Sequence, residues 1–543
     1  MRKFIYNLEE FRNPTYILPT IDKRYDFVGN KVLIVGLDGA TFDLILPWIE
    51  HGLLPNMKYL VQHGSWSQLI STIPMFTATA WSSFATGLNP DNHGILGFFT
   101  REFPWNLRIV TSKDRKGEEF WVYLSKFGKK VIVLNVPLTY PPKKVNGILI
   151  SGFPTPLSAD DYAYPPRIIE EIKSVLKEDY EVDISITYEE GLEEEFIQEV
   201  RRITEKQFKS AYYLLNKYPW DLFVIVFNGT DYLQHALWKY IDKNHPFHNK
   251  ALSEKYYQAL LEYYQYIDYI IGEFIKCLPK NAYIIIMSDH GFGPLYKFIH
   301  LNWWLLKNGY LKLKRDPITT MKLLLYHLGI TPDRIFKLLL LLHLTKIRRR
   351  MGFQGSHKLL ARVFLSFKDV DWDKTIAHSL GSMGLIYLNK KVIRKNNMSP
   401  GDVIRELVEK LKRLKDPETN ESPFEKILLK RDVYRGRLVD NMPDIILVPK
   451  AYYMGFEEYE FASNKVITIA KGISGTHRRE GIFIIYGDNI KRGYKLTNKP
   501  HIIDIMPTVL YLMNVPIPRN IDGRVIFEVF TSFIGKEDEI HTI

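Results

Sequence analysis

Six residues with metal-ligating side chains stand at the ends of apolar runs in this sequence. Asp38 follows "KVLIVGL", Asp231 and His235 follow "DLFVIVF", Asp289 and His290 follow "AYIIIM", and His477 stands just before "GIFIIYG". Three carboxylates and three imidazoles match the donor set of two divalent transition-metal sites, suited to zinc, with manganese as the alternative. The spacing Asp231-x-x-x-His235 places both side chains on one side of a helical turn, able to grip one ion with His477 as a third ligand. Asp38, Asp289 and His290 would hold the second ion. Singly, each has an ordinary structural reading: Asp38 as a helix cap, His235 as a core histidine, His477 as a loop residue. Their joint occurrence carries the argument.

One position near the second ion would be left for a nucleophile. The stretch "STIPMFTATAWSSFATGLNPDNHG", from Ser71 to Gly94, is rich in small hydroxyl residues and supplies the candidates. A hydroxyl is a weak nucleophile near neutral pH and gains strength beside a metal ion. Arg478 and Arg479 follow His477 directly, so a guanidinium there either clamps phosphate oxygens or simply flanks a ligand on the surface. Asn228, three residues before Asp231, has the same two readings: a substrate-binding amide or a structural one.

These residues need a scaffold that delivers separate segments to one place. Short β-rich runs begin at residues 31, 129, 147, 221, 282, 384, 444 and 481, and amphipathic stretches such as "EKYYQALLEYYQYIDYIIGEFIKCL" lie between them. Strands apolar throughout are buried on both faces, which predicts a mainly parallel sheet flanked by helices, an α/β doubly wound fold. In such sheets ligands sit beyond the carboxyl ends of the strands, where four of these segments place Asp or His. The rhythm divides the chain into an extension over 1–30, a core over 31–311 and 371–515, a basic helical insertion or lid over 312–370, and a tail over 516–543.

Composition narrows the classes further. With 543 residues, 46% of them hydrophobic, the chain buries ample core, and its single cysteine, Cys277, excludes an intramolecular disulfide framework. Charges interrupt every apolar run near the amino terminus and no run approaches the roughly 20 residues of a membrane span, so a cytoplasmic protein is expected. The net charge of +12 is concentrated: thirteen Lys or Arg against two Asp lie between Lys312 and Lys368. Within it, Thr331 and Pro332 predict a helix start, followed by "IFKLLLLLHL" and a basic end. This segment reads as a buried lid helix with a solvated terminus or as a surface for an anionic membrane or lipid-linked phosphate; nucleic acid fits less well because aromatic residues are sparse there.

The order of "VGLDGATFD", "PMFTATAWSSFATGLNPDNHGI", "NVPLTYPP", "SGFPTP", "NGTDYLQH", "SDHGFGP", "PDIIL" and "SGTHRREG" resembles the type I phosphodiesterase and nucleotide pyrophosphatase branch of the alkaline phosphatase superfamily. It resembles more closely the prokaryotic proteins of that superfamily described as predicted phosphohydrolases or phosphomutases. The resemblance covers most of residues 31–515. It implies an alkaline-phosphatase-like core, two metal ions, commonly zinc, and a Thr or Ser nucleophile nine residues before the Thr of a "TG" pair. Thr86-Gly87 then points to Thr77, with Thr79 as the alternative. By the same resemblance Asp231, His235 and His477 bind one ion and Asp38, Thr77, Asp289 and His290 the other, while the glycines after His290 let the backbone turn away.

The activity so implied is a metal-dependent phosphodiesterase working through a phosphothreonine. A phosphomonoesterase, phosphomutase or phosphotransferase on a sugar- or lipid-linked phosphate shares that metal core, and a metal-stabilised binding protein without catalysis is the reading from another class. One departure bears on substrate: nucleotide pyrophosphatases carry an Asn three residues after the nucleophile, where this chain has Ala80.

Overall fold

The apolar runs at residues 31, 129, 147, 221 and 282 do assemble side by side. The structure, a computed structural model, describes residues 30–102, 106–332, 334–335, 362–381, 383–455 and 461–532. The expected extension before residue 30, most of the leucine-rich part of the basic insertion and the tail beyond 532 lie outside the described residues.

In chain order the strands that matter here are β1 (Lys31–Leu37), β2 (Ser65–Ile70), β3 (Val131–Leu134), β4 (Gly147–Ile150), β5 (Ala163–Tyr164), β6 (Leu222–Phe227), β7 (Ala282–Met287), β8 (Gly291–Pro294), β9 (Gly475–Arg478), β10 (Glu480–Tyr486) and β11 (Tyr494–Lys495). Nine of them form one sheet in the order β11-β2-β10-β7-β1-β6-β3-β4-β5. Its centre, β7-β1-β6-β3-β4, is parallel, and β1, β6 and β7 are buried along their whole length. Val, Ile, Leu and Phe on both faces of these strands meet helices on both sides, which is what a parallel sheet requires. On one face pack α1 (Phe42–Glu50), α4 (Gly229–Ile241) and α5 (Lys250–Cys277); on the other α2 (Thr77–Thr86), α3 (Phe120–Lys126) and α7 (Ile505–Leu512).

β10 departs from the parallel rule. It runs antiparallel to β7 and to β2. Its start therefore lies at the carboxyl end of the parallel strands. This explains why His477 precedes its strand while the other candidate ligands follow theirs.

A second departure is larger. The β-rich runs at 384 and 444 do not join the central sheet: Ala377–Ser379, Leu385–Leu388, Phe424–Leu429 and Ile445–Pro449 make a separate four-stranded antiparallel sheet. It shares a hydrophobic core of its own with Leu301, Trp303, Trp304 and helix α6 (Pro317–His327), through Tyr326. Residues 371–449 thus belong with part of the expected insertion rather than with the sheet, because an apolar run alone does not reveal which sheet will accept it. At the expected helix start, Arg334 N donates to Thr331 Oγ1 (3.4 Å), as the cap requires.

Candidate metal centre and active site

The carboxyl end of the central sheet gathers the predicted residues from five segments. Asp38 leaves β1 and Asp289-His290 leaves β7. Asp231 and His235 occupy successive turns on one side of α4, which starts directly after β6. His477 sits in β9, which pairs antiparallel with β8 so that His477 lies opposite Phe292. Thr77 opens α2.

Asp38 and Asp289 are held to their neighbours by hydrogen bonds that leave one oxygen of each free of protein partners. Asp38 Oδ2 accepts from Trp81 Nε1 (2.9 Å) and Asp289 Oδ1 from Gly39 N (3.1 Å). Asp38 Oδ1, Asp289 Oδ2 and Asp231 Oδ1 are buried without a hydrogen-bond partner. Gly39 is needed for this: its φ is +67°, and a Cβ there would press on Asp231 and His290.

The histidines are ordered in a matching way. Nδ1 of His235 lies 2.8 Å from Gly475 O, Nδ1 of His290 3.0 Å from Gly291 O, and Nδ1 of His477 3.0 Å from Met75 O. A carbonyl only accepts, so each Nδ1 carries the proton and each Nε2 of a neutral ring offers a lone pair. The three Nε2 atoms converge: His235 and His477 are 3.2 Å apart, and Asp231 Oδ1 lies 3.3 Å from His477, 3.5 Å from His235 and 4.0 Å from His290. Asp38 Oδ1 and Asp289 Oδ2 lie 3.5 and 3.3 Å from His290 Nε2. Lone pairs facing lone pairs and orphaned carboxylate oxygens in a buried site cost several kcal/mol unless a cation intervenes.

Two groupings have spacing for an ion: Asp231, His235 and His477, and Asp38, Asp231 and His290. The first is the predicted triad. The second differs from the predicted set in that Asp231 stands in it, as in the first, and Asp289 does not. The donor chemistry fits divalent metal: Asp231, His235 and His477 would hold one ion, and Asp38, Asp231 and His290 another beside Thr77, with Asp289 Oδ2 at 3.3 Å from His290 Nε2.

Electrostatics agree with a site built for cations. Burial pushes Asp38 well above its ordinary proton affinity, with Asp289 and Asp231 adding repulsion. Burial likewise pushes Asp289 up to about 7. Burial alone would raise Asp231 too, but His235 and His477 outweigh it and hold it below the carboxylate range. Burial lowers His235 and His290. Metal uptake below about pH 7 is therefore expected to release a proton, because Asp289 still carries one there. Affinity should then rise with pH up to the point where Asp289 ionises. Titration calorimetry in buffers of differing ionisation enthalpy checks this, and uptake without proton exchange would contradict it.

Thr77 Oγ1 lies 3.2 Å from His290 Nε2 on a half-buried residue. Thr79, two positions on, is turned about 200° around the helix and is fully buried. Of the two candidate hydroxyls only Thr77 faces the centre. Asn228 is buried at the start of α4 with its Oδ1 unpartnered, three residues before Asp231. Arg478 is not brought to the site. Side chains alternate along a strand, so with His477 facing inward Arg478 faces away, where it donates to the carbonyls of His477 (2.9 Å) and Pro294 (2.5 Å). Gly291 and Gly293 also differ from expectation: they do not turn the chain away but let β8 run close against Glu480 and Arg478.

The supports of the ligands escaped the sequence reading. Trp81 and the carbonyls of Met75 and Gly475 have no signature, since a tryptophan within a helix reads as core and every residue has a carbonyl.

The family model for type I phosphodiesterase / nucleotide pyrophosphatase matches residues 32–471. The chain belongs to that family. It is a member of a group of phosphoric ester hydrolases within the alkaline phosphatase superfamily. A comparison with curated proteins finds none that matches. Among solved structures, phosphonoacetate hydrolase from Sinorhizobium meliloti 1021 in complex with phosphonoformate is 16% identical, with 91% of this chain and 97% of that chain covered and a TM-score of 0.51. For human ectonucleotide pyrophosphatase / phosphodiesterase 5 the values are 14%, 92%, 100% and 0.49. The first likeness shows a shared fold, and the family match gives the chain its place among hydrolases of phosphoric esters.

The loop before Thr77 has a second face. Ser71, Thr72 and Ile73 line a cavity of about 200 Å³ with Tyr434, Arg479 and His501. Ser71 Oγ is buried there without a partner.

Proposed function

We propose that the chain hydrolyses phosphodiesters by double displacement at Thr77, with divalent ions, zinc before manganese, held by Asp38, Asp231, His235, Asp289, His290 and His477. The observation that carries this reading is the placement of Thr77 Oγ1 beside His290 at the edge of six converging side chains, with Asp38 Oδ1, Asp231 Oδ1 and Asp289 Oδ2 buried without a hydrogen-bond partner. When bound, the ions would supply Lewis acidity, easing loss of the Thr77 proton and offsetting charge on the phosphate oxygens.

The chain's own contributions follow from position. Thr77 Oγ1 forms a bond to phosphorus as the bond to the leaving oxygen breaks, giving a phosphothreonine and an alcohol once that oxygen takes a proton. Water then attacks phosphorus, the bond to Oγ1 breaks, and Thr77 regains a proton as the phosphomonoester leaves. Thr77 is the first residue of α2, so backbone N–H groups of the opening turn, unsatisfied within the helix, face the phosphate. Ala80, buried where relatives carry Asn, offers no amide to the phosphate.

The test is turnover of bis-p-nitrophenyl phosphate against p-nitrophenyl phosphate by metal-reconstituted protein. Preference for the diester is expected. Preference for the monoester would replace this reading with a phosphatase or mutase.

A further inference from the structure

Helix α6 is packed inside out. Its buried residues are Thr319, Lys322 and Tyr326, and all three satisfy polar groups inward: Thr319 Oγ1 donates to Asp316 (2.7 Å), Lys322 pairs with Asp369 (3.0 Å), and Tyr326 donates to Ser463 O. The opposite stripe is apolar and bare. Ile318 is 62% exposed, Met321 56%, Leu324 61% and Leu328 67%, and Ile330, just after the helix, is 40% exposed. At 100° per residue the first four fall within about a third of the helix circumference. Isolated exposed apolar residues are ordinary, but a contiguous stripe on a helix marks something that covers it.

Charge selects the cover. Lys312, Lys314, Arg315 and Lys368 are exposed in and beside this segment, while among the described acidic residues there Asp316 caps the helix, Asp369 is buried against Lys322 and Asp371 pairs with Lys374. A second copy of this chain would bring the same cations face to face. An anionic surface would not. We propose that this face docks on a bilayer containing anionic lipid, the apolar stripe entering the headgroup boundary and the flanking cations meeting lipid phosphates. The helix lies on the surface: among the described residues no helix is long and apolar enough to cross a membrane. The inference is independent of the reaction at Thr77 and concerns where that reaction is carried out.

The experiment is sedimentation of the full chain with vesicles of phosphatidylcholine alone and of phosphatidylcholine mixed with phosphatidylglycerol. Binding to the mixed vesicles, weakened by salt and weaker still on phosphatidylcholine alone, is expected. Met321→Glu/Leu324→Glu should weaken it about tenfold or more, with hydrolysis of a soluble diester unchanged. The milder Ile318→Ser/Leu328→Ser pair reports the same surface should the first variant fold poorly. Absence of binding to anionic vesicles would overturn the proposal, as would binding that neither pair alters. A lowered melting temperature or altered mass in solution without any change in vesicle binding would show instead that protein covers the stripe.

Discussion

Thr77→Ala is expected to lower kcat/KM for a phosphodiester on the order of 10³-fold or more, about 4 kcal/mol of barrier, while most of the bound metal is retained. The asymmetry follows from the site: Thr77 contributes one hydroxyl, whereas six other side chains converge independently of it. Thr77→Ser should recover much of the rate, since the attacking atom is kept. Thr79→Ala serves as the contrast, because Thr79 is buried on another side of α2 and its loss should affect stability but not the chemical step. Trapping of phosphate on the native chain, absent from the alanine variant, gives a second readout. Substantial diester turnover by Thr77→Ala would sink the assignment of the nucleophile.

The second large effect is expected at Asp231. This carboxylate lies within 3.3–4.0 Å of Nε2 of all three histidines and takes part in both groupings that have spacing for an ion. Asp231→Asn keeps the shape and removes the charge. It should weaken metal binding by about 10²-fold or more, and activity at least as much, since outer-shell changes alone cost 10- to 100-fold. His235→Ala touches one grouping only and should leave more metal behind. Metal analysis after dialysis, set beside kcat/KM, separates the two variants; Asp231→Asn retaining as much metal as His235→Ala would show that the carboxylate is not shared.

Much of this centre was legible in the sequence because strand ends announce themselves. Apolar runs followed by Asp or His told where β1, β6 and β7 stop, and doubly wound topology then brought those ends together. His477 was less direct, since its position before a strand makes sense only once β10 is known to run antiparallel. What stayed hidden falls under two physical causes. Pairing partners of a strand are not written in its composition, so the runs at 384 and 444 joined another sheet. Side-chain direction along β9 depends on register, so Arg478 read as a phosphate clamp although it faces away. The backbone carbonyls that set the histidine tautomers have no sequence signature at all.

The second sheet also bears on how divisible this enzyme is. Tyr434, from the connection between the last two strands of that sheet, donates to Ile73 O just before the Thr77 helix, and Asp91, just after it, receives N–H bonds from Arg435 and Gly436. The Thr77 helix is thus pinned at both ends by a segment that contributes none of the six converging side chains. A trimmed version retaining only the central sheet and its six converging side chains would lose the brace that positions the Thr77 helix. For anyone seeking a minimal catalyst from this scaffold, the smallest working unit includes the smaller sheet.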